Sequence, residues 1–244
     1  MGCGNLISGK EQYIIMWEKC KELQEELVRM RRELHQIPEL GGELPKTRAY
    51  VEEKLKELGI PFVENKTDSG LIATIKGEKE GKTIVLRADM DALPIQEANE
   101  VDYISRHEGC MHACGHDTHM TMLLGAAKIL SEHKDQIPGT VRLLFQTDEE
   151  GSRGAQRLCA EGAMDGVDAV FGTHIGTIIS KDIKAGTVIS VPGCCMASFD
   201  NGGLYPLPNF SKRNRLPRLH SGKRRGPGEH CSPYHHQSPG DHCP

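Results

Sequence analysis

Met111-His-Ala-Cys-Gly-His-Asp-Thr-His-Met120 is the stretch from which the rest of the chain can be read. Five of its side chains, His112, Cys114, His116, Asp117 and His119, are groups that bind or steer a metal ion. Gly115, between Cys114 and His116, lets the backbone turn so that both side chains reach one centre. The apolar run that follows, residues 120–130, has helical character, so the donors are expected at a helix N-terminus, facing whatever the preceding strand delivers. Thiolate and imidazole together suit zinc and similar divalent ions. The competing reading is a buried free thiol with polar histidines in a loop. Three histidines and a cysteine between residues 112 and 119 weigh against it.

Working outward, residues 83–88 (Thr-Ile-Val-Leu-Arg-Ala) read as a strand running into Asp89-Met-Asp91-Ala-Leu-Pro94. Two aspartates at the C-terminal end of a strand are well placed for a crevice site, although Asp also caps turns and helices. On the other side, a helix is expected over 118–132, broken by Pro138-Gly139. A strand over 140–145 then delivers Glu149 and Glu150, a helix covers 154–163, and a strand over 169–174 ends in His174. Nearer the N-terminus, 11–35 reads as an amphipathic helix stopped by Pro38. A second helix runs over 47–58, with Pro45 at its start and Gly59 as its C-cap. Short strands follow at 62–63 and 71–75, and residues 77–81 look like a hairpin or tight connection to the next strand. Alternating strands and helices indicate an α/β sheet with helices on its faces, which binds ligands beyond the carboxyl ends of its strands. Asp89, Asp91, Glu149, Glu150 and His174 each fall at such an end. Singly, a Glu pair is usually surface charge and a lone histidine usually structural; their convergence is the stronger signal.

A hydrolytic metal site needs ligands, an open position for water and a base. Cys114, His116, Glu150 and His174 supply sulfur, nitrogen and oxygen donors. Glu149 and Glu150 point to opposite sides of an extended backbone, so one can bind metal while the other handles protons. Asp91 is expected to orient a ligand histidine from behind. A metal-binding protein without catalysis would keep the ligands and have no need of Glu149, and a non-functional fragment would show no cooperative thermal transition.

These residues also carry a resemblance. The motifs are Arg32-Glu-Leu-His-Gln-Ile-Pro-Glu39, Leu86-Arg-Ala-Asp-Met-Asp-Ala-Leu-Pro94, His112-Ala-Cys-Gly-His-Asp117, Phe145-Gln-Thr-Asp-Glu-Glu-Gly151 and Gly172-Thr-His174. Their order and spacing, over residues 25–200, resemble the amidohydrolase branch of the M20 metallopeptidases. That branch holds the N-acyl-amino-acid, hippurate and auxin-conjugate hydrolases. The resemblance implies a zinc-peptidase-like α/β catalytic domain with a mixed sheet and helices on both faces. It implies two divalent ions, manganese or zinc, bridged by Cys114 and further held by His116, Glu150 and His174. Glu149 would be the general acid/base, and the substrate an N-acyl amino acid or small peptide. Two departures stand out. Thr147-Asp148 replaces the usual Pro-Ala, adding a negative charge beside the base that is expected to raise its pKa. Residues 175–179 (Ile-Gly-Thr-Ile-Ile) replace an aromatic-proline segment and alter the wall of the substrate pocket.

Composition divides the chain near residue 199. Residues 201–244 carry seven Lys/Arg against two Asp/Glu, with seven of the 13 prolines and five of the 12 histidines, and no Ala, Val, Ile, Met or Thr. Such a segment lacks the apolar side chains to offset its ordering entropy, so 199–244 is expected to be disordered. Read one nucleotide later, residues 222–243 permit a string apolar at helical spacing, so we expect this tail to be out of frame; the coding DNA tests that. The rival readings, a second metal site from the tail's His and Cys residues or nucleic-acid binding by 212–225, lack a paired-ligand pattern. In the resemblance, intact members insert a lid and dimerisation domain here and are homo-oligomeric. This chain is expected to lack that domain and one further histidine ligand, and so to have little or no activity. The partial catalytic domain is expected over 11–198, after a flexible 1–10. Leu6 stands where a myristoylation pattern needs Ser or Thr, no apolar run reaches membrane length, and nine scattered cysteines fit a reducing cytoplasm. No nucleic-acid or membrane partner is expected.

Overall fold

The computed structural model describes residues 17–175, 198–200 and 203–205. Residues 17–22 are helical and continue into α1 (Gln24–His35) through the bonds Leu23 N–H to Lys19 O and Leu27 N–H to Leu23 O. The expected helix is therefore present as far as it is described, and it ends before Pro38. Helix α2 (Pro45–Glu57) has its proline at the start, as expected. The Glu39 carboxylate accepts the free N–H groups of Lys46 and Thr47, at 3.0 and 2.8 Å.

Five strands make one mixed sheet: β1 (Phe62–Glu64), β2 (Leu71–Lys76), β3 (Lys79–Asp89), β4 (Pro138–Gln146) and β5 (Ala169–Gly172), in the order β1-β2-β4-β3-β5. β2 pairs antiparallel with β4, whereas β4, β3 and β5 run parallel. The link from β2 to β3 is thus a tight connection of residues 77–78 and not a hairpin, because β4 lies between the two strands; residues 79–81 already belong to β3. The reason is burial. Val141, Leu143 and Phe145 bury on one face of β4 and Leu144 on the other, and a strand apolar on both faces belongs in the middle of a sheet.

Helices cover both faces. On one, Leu71, Ala73, Ile75, Val141, Leu143 and Phe145 form a single core with Leu34 of α1, Val51 and Leu55 of α2, and Met120 and Leu124 of α3 (His116–Glu132). On the other, Val85 and Leu144 pack with Leu158 of α4 (Gly154–Ala160) and with Ala163. Each fully buried Leu or Phe contributes about 1.5–3 kcal/mol. Helix α4 stops three residues earlier than expected, giving way to turns over residues 161–166. Strands β6 (Ser198–Asp200) and β7 (Gly203–Tyr205) pair antiparallel; the rest of the compositionally distinct tail, and residues 1–16, lie outside the described residues. Among the described residues no helix is long and apolar enough to cross a membrane.

Candidate metal centre

Because β3, β4 and β5 are parallel, their carboxyl ends emerge on one edge. The register sets Asp89 opposite Gln146 and Arg87 opposite Gly172, so Asp91, Glu149–Glu150 and His174 leave the sheet side by side. Helix α3 begins beside them. Its N-cap, Gly115, has φ +88°, and a Cβ there would come within 2.5 Å of Ile175. The left-handed φ favours glycine, and any side chain there would also have to displace that of Ile175. The helix starts two residues earlier than the apolar run implied, so His116, Asp117 and His119 belong to its first turn while Cys114 stays in the loop.

All six expected site residues meet here. Cys114 Sγ lies 3.4 Å from His174 Nε2. His116 Nε2 lies 3.8 Å from a Glu149 oxygen, 3.9 Å from a Glu150 oxygen and 3.7 Å from Asp89 Oδ2. The donor atoms of Cys114, His116 and His174 fall within 4.8 Å of one another, and so do those of His116, Glu149 and Glu150. Hydrogen bonds fix the ring orientations. His116 Nδ1 donates to the Asp91 main-chain oxygen (2.7 Å) and His174 Nδ1 to Ile175 O (2.6 Å), so both Nε2 atoms turn toward the cluster. Asp91 does more than orient a histidine. Its carboxylate accepts the N–H groups of Glu149 (2.9 Å) and Glu150 (3.1 Å), and so holds the acidic pair.

The centre is electrostatically lopsided. Burial opposes charge on His116, but the Asp91 bond, Cys114 and the surrounding carboxylates push its pKa up to about 11. Burial, and next the Asp89 charge, raise the Glu149 carboxyl above the usual carboxylate range, against the pull of His116. The expectation that Asp148 would cause that rise is corrected. Asp148 Oδ2 accepts a bond from Arg157 Nη2 at 2.9 Å, which neutralises it away from Glu149.

The donor set fits a divalent cation. His116 Nε2 is buried, without a hydrogen-bond partner among the described residues, and faces three carboxylates. Two donors about 2.1 Å from a common ion stand about 3–3.5 Å apart, close to the 3.4 Å between Cys114 and His174 and a few tenths of an ångström under the His116–carboxylate separations. The negative charge that favours protonation of His116 also favours a cation.

Other residues of the central motif do something else. Asp117 Oδ2 accepts from His35 Nδ1 (2.6 Å) and pairs with Arg31 (3.1 Å), while His35 Nε2 reaches Glu97 (3.0 Å). Asp89 accepts from His119 Nδ1 (2.6 Å) and from Arg87 (2.7 Å), and His119 Nε2 accepts the Ile175 N–H (2.9 Å). His119 therefore braces the residue after His174, with Asp89 setting its tautomer. Sequence reading assigned no part to His35, Glu97 or Arg87. His35 lies within the motif 32–39 and Arg87 within 86–94, so of the three only Glu97 falls outside every motif. A cavity of about 390 Å³ adjoins Cys114, lined among others by Tyr103, Met111, His112 and Ile175. Of the altered wall segment 175–179, only Ile175 lies within the described residues.

Residues 85–230 match the model of peptidase family M20/M25/M40. An N-acetyl-L-cysteine deacetylase of Bacillus subtilis is 47% identical over 178 residues, covering 73% of this chain and 42% of that protein. The IAA-amino acid hydrolase ILR1-like 2 of Arabidopsis thaliana is 45% identical over 202 residues, 81% of this chain and 46% of its own length. Among solved structures, the Bacillus subtilis YXEP protein, a dinuclear metal binding peptidase, superposes with TM-score 0.62 at 39% identity, over 64% of this chain and 44% of that one. The chain spans a little under half the length of these relatives.

Proposed function

The chain belongs to peptidase family M20/M25/M40, and on that premise we propose that its site is that of a metal-dependent hydrolase cleaving the amide bond of N-acyl amino acids or small peptides, with little or no turnover from these 244 residues by themselves. The observation that carries the reading is the meeting of Cys114, His116 and His174, and of His116, Glu149 and Glu150, beside a buried His116 Nε2 that has no hydrogen-bond partner among the described residues. In this reading Cys114, His116, Glu150 and His174 would hold two divalent ions, which when bound would supply Lewis acidity at the scissile carbonyl and an acidified water. Thiolate and imidazole favour zinc, and the carboxylates also accommodate manganese. Glu149, buried enough to hold a proton more readily than an ordinary carboxylate, takes one from the attacking water and hands it to the departing amine. Asp91 keeps Glu149 and Glu150 in register through their amide groups. Relatives named for N-acetyl-L-cysteine and IAA-amino acids support linear N-acyl amino acids as the substrate class. The free thiols of Cys20, Cys110, Cys114 and Cys159 support a reducing compartment such as the cytoplasm.

The test is a titration of the chain with Mn(II) and Zn(II), together with amino-acid release from N-acetyl and N-benzoyl amino acids. Uptake of two ions, lost in Cys114→Ser, is expected, and absence of metal uptake overturns the reading. Glu149→Gln separates catalysis from plain metal binding: uptake survives while metal-dependent release is abolished.

A further inference from the structure

We infer that Asp68 and Arg157 are positioning residues that clamp the Glu149–Glu150 loop through Thr147 and Asp148. The inference rests on the metal-site reading above and adds to it the device that sets where the two carboxylates stand.

Thr147 Oγ1 donates to Asp68 Oδ2 at 2.8 Å, and Arg157 Nη1 approaches the same oxygen at 3.3 Å. Arg157 Nη2 reaches Asp148 Oδ2 at 2.9 Å, so one guanidinium ties the segment before β2 to the loop after β4. Asp68 is itself anchored by Asn65 Nδ2 (2.6 Å) and the Gly70 N–H (2.8 Å). The backbone joins in: Asp148 N–H donates to Gly41 O, and Asp148 O accepts from Arg153 and Gly154. Asp148 is held at φ +50°, a conformation that non-glycine residues seldom adopt and that persists where the surroundings enforce it. The backbone packs closely here: a Cβ on Gly154 would lie 1.6 Å from Thr147 O.

On its opposite side the loop is gripped by the Asp91 carboxylate through Glu149 N–H and Glu150 N–H. Asp68 thus holds Thr147, Arg157 holds Asp148, and Asp91 holds Glu149 and Glu150. The carboxylates between the grips face one atom, His116 Nε2, at 3.8 and 3.9 Å. A slip of this loop displaces both at once, and sites of this kind tolerate only about 0.5 Å of misplacement. Thr147 and Asp148 replace residues that the resemblance had led us to expect as Pro-Ala. The clamp is what these polar side chains do in this chain.

The test uses Arg157→Ala and Asp148→Asn in the full chain, with Co(II) as probe because its visible absorption reports ligand geometry. Each substitution is expected to weaken Co(II) binding about tenfold, the usual scale for a residue behind a ligand, and to change the Co(II) spectrum. Arg157→Lys should recover part of the affinity, and the double variant should be little worse than either single one. In the metal-free chain, amide exchange at Glu149 and Glu150 should rise about tenfold while β4 stays protected. Unchanged affinity and unchanged exchange overturn the clamp; so does a uniform rise in exchange through β4, which marks general loosening. If Co(II) fails to bind the unaltered chain, the metal-site reading falls, and the exchange measurement alone decides the clamp. Should Arg157→Ala not fold, Thr147→Val, which removes a single hydroxyl, takes its place in the same measurements.

Discussion

His116 stands where every other donor converges, and its two nitrogens are committed differently: Nδ1 to the Asp91 carbonyl, Nε2 to the carboxylate side. Replacing it by Ala is expected to lower divalent-metal affinity by more than 100-fold, since a ligand is lost outright; isothermal titration with Zn(II) checks this. Glu149 carries a different burden. Glu149→Gln should keep metal affinity within about threefold in a Zn(II) titration while removing any metal-dependent amide hydrolysis the chain supports, a general acid/base being worth about 10²–10⁴ in rate. Each identity was visible in the motifs, because ligand and proton chemistry restricts the residue types. What Asp117 and His119 do was not visible. Both look like donors in Met111–Met120, yet one is taken by His35 and Arg31 and the other braces Ile175 and pairs with Asp89. Their partners are remote in sequence and become neighbours only by folding.

Elements bring these residues to one edge. Strand β4 is buried on both faces and sits between β2 and β3, so its carboxyl end, with Glu149 and Glu150 beyond, lands between Asp89 and the loop that Asp68 anchors. Leu143→Ala at its centre removes a fully buried side chain and should cost about 2–5 kcal/mol, measured by urea unfolding, with a matching loss of metal affinity only where the fold is lost. The helix and strand patterns predicted α2, α3 and β4 to within a few residues, because apolar periodicity is a local property. They misjudged the neighbour of β2. A short link between two strands permits a hairpin, and the deeper burial of a strand more than fifty residues later gives that place to β4 instead.

Across the molecule, titrating groups set the pH range of stability. Burial would raise Asp68, but bonds from Asn65, Gly70, Thr147 and Arg157 hold it below the ordinary value, and Asp89 is lowered to about 2 by His119 and Arg87 against its own burial. Groups depressed in this way stabilise the fold above their unfolded pKa and lose that contribution as pH falls through the folded one. Stability should therefore drop between about pH 4 and pH 2. His35 has the opposite sign. Its bond to Asp117, and a further one to Glu97 against burial, raise its pKa, so its contribution is complete below about pH 6.5 and disappears as pH climbs through the raised value. Thermal unfolding against pH, in EDTA, checks both arms. His116, raised to about 11, adds to the alkaline arm in the same sense, so His35→Gln should shrink that arm without abolishing it, and should also weaken the acid arm because His35 holds Asp117 and Glu97 low.

The amino-acid order by itself determined the class of fold, the ligand types and the spacing of the motifs, since periodicity, turn-forming residues and donor chemistry are written along the chain. Only the tertiary structure decided that β4 separates β2 from β3, that the Asp91 carboxylate holds the Glu149 and Glu150 amides, and that Arg157 neutralises Asp148. Those outcomes depend on which buried surfaces and charges end up adjacent, and adjacency across many tens of residues is settled by packing the whole sheet at once.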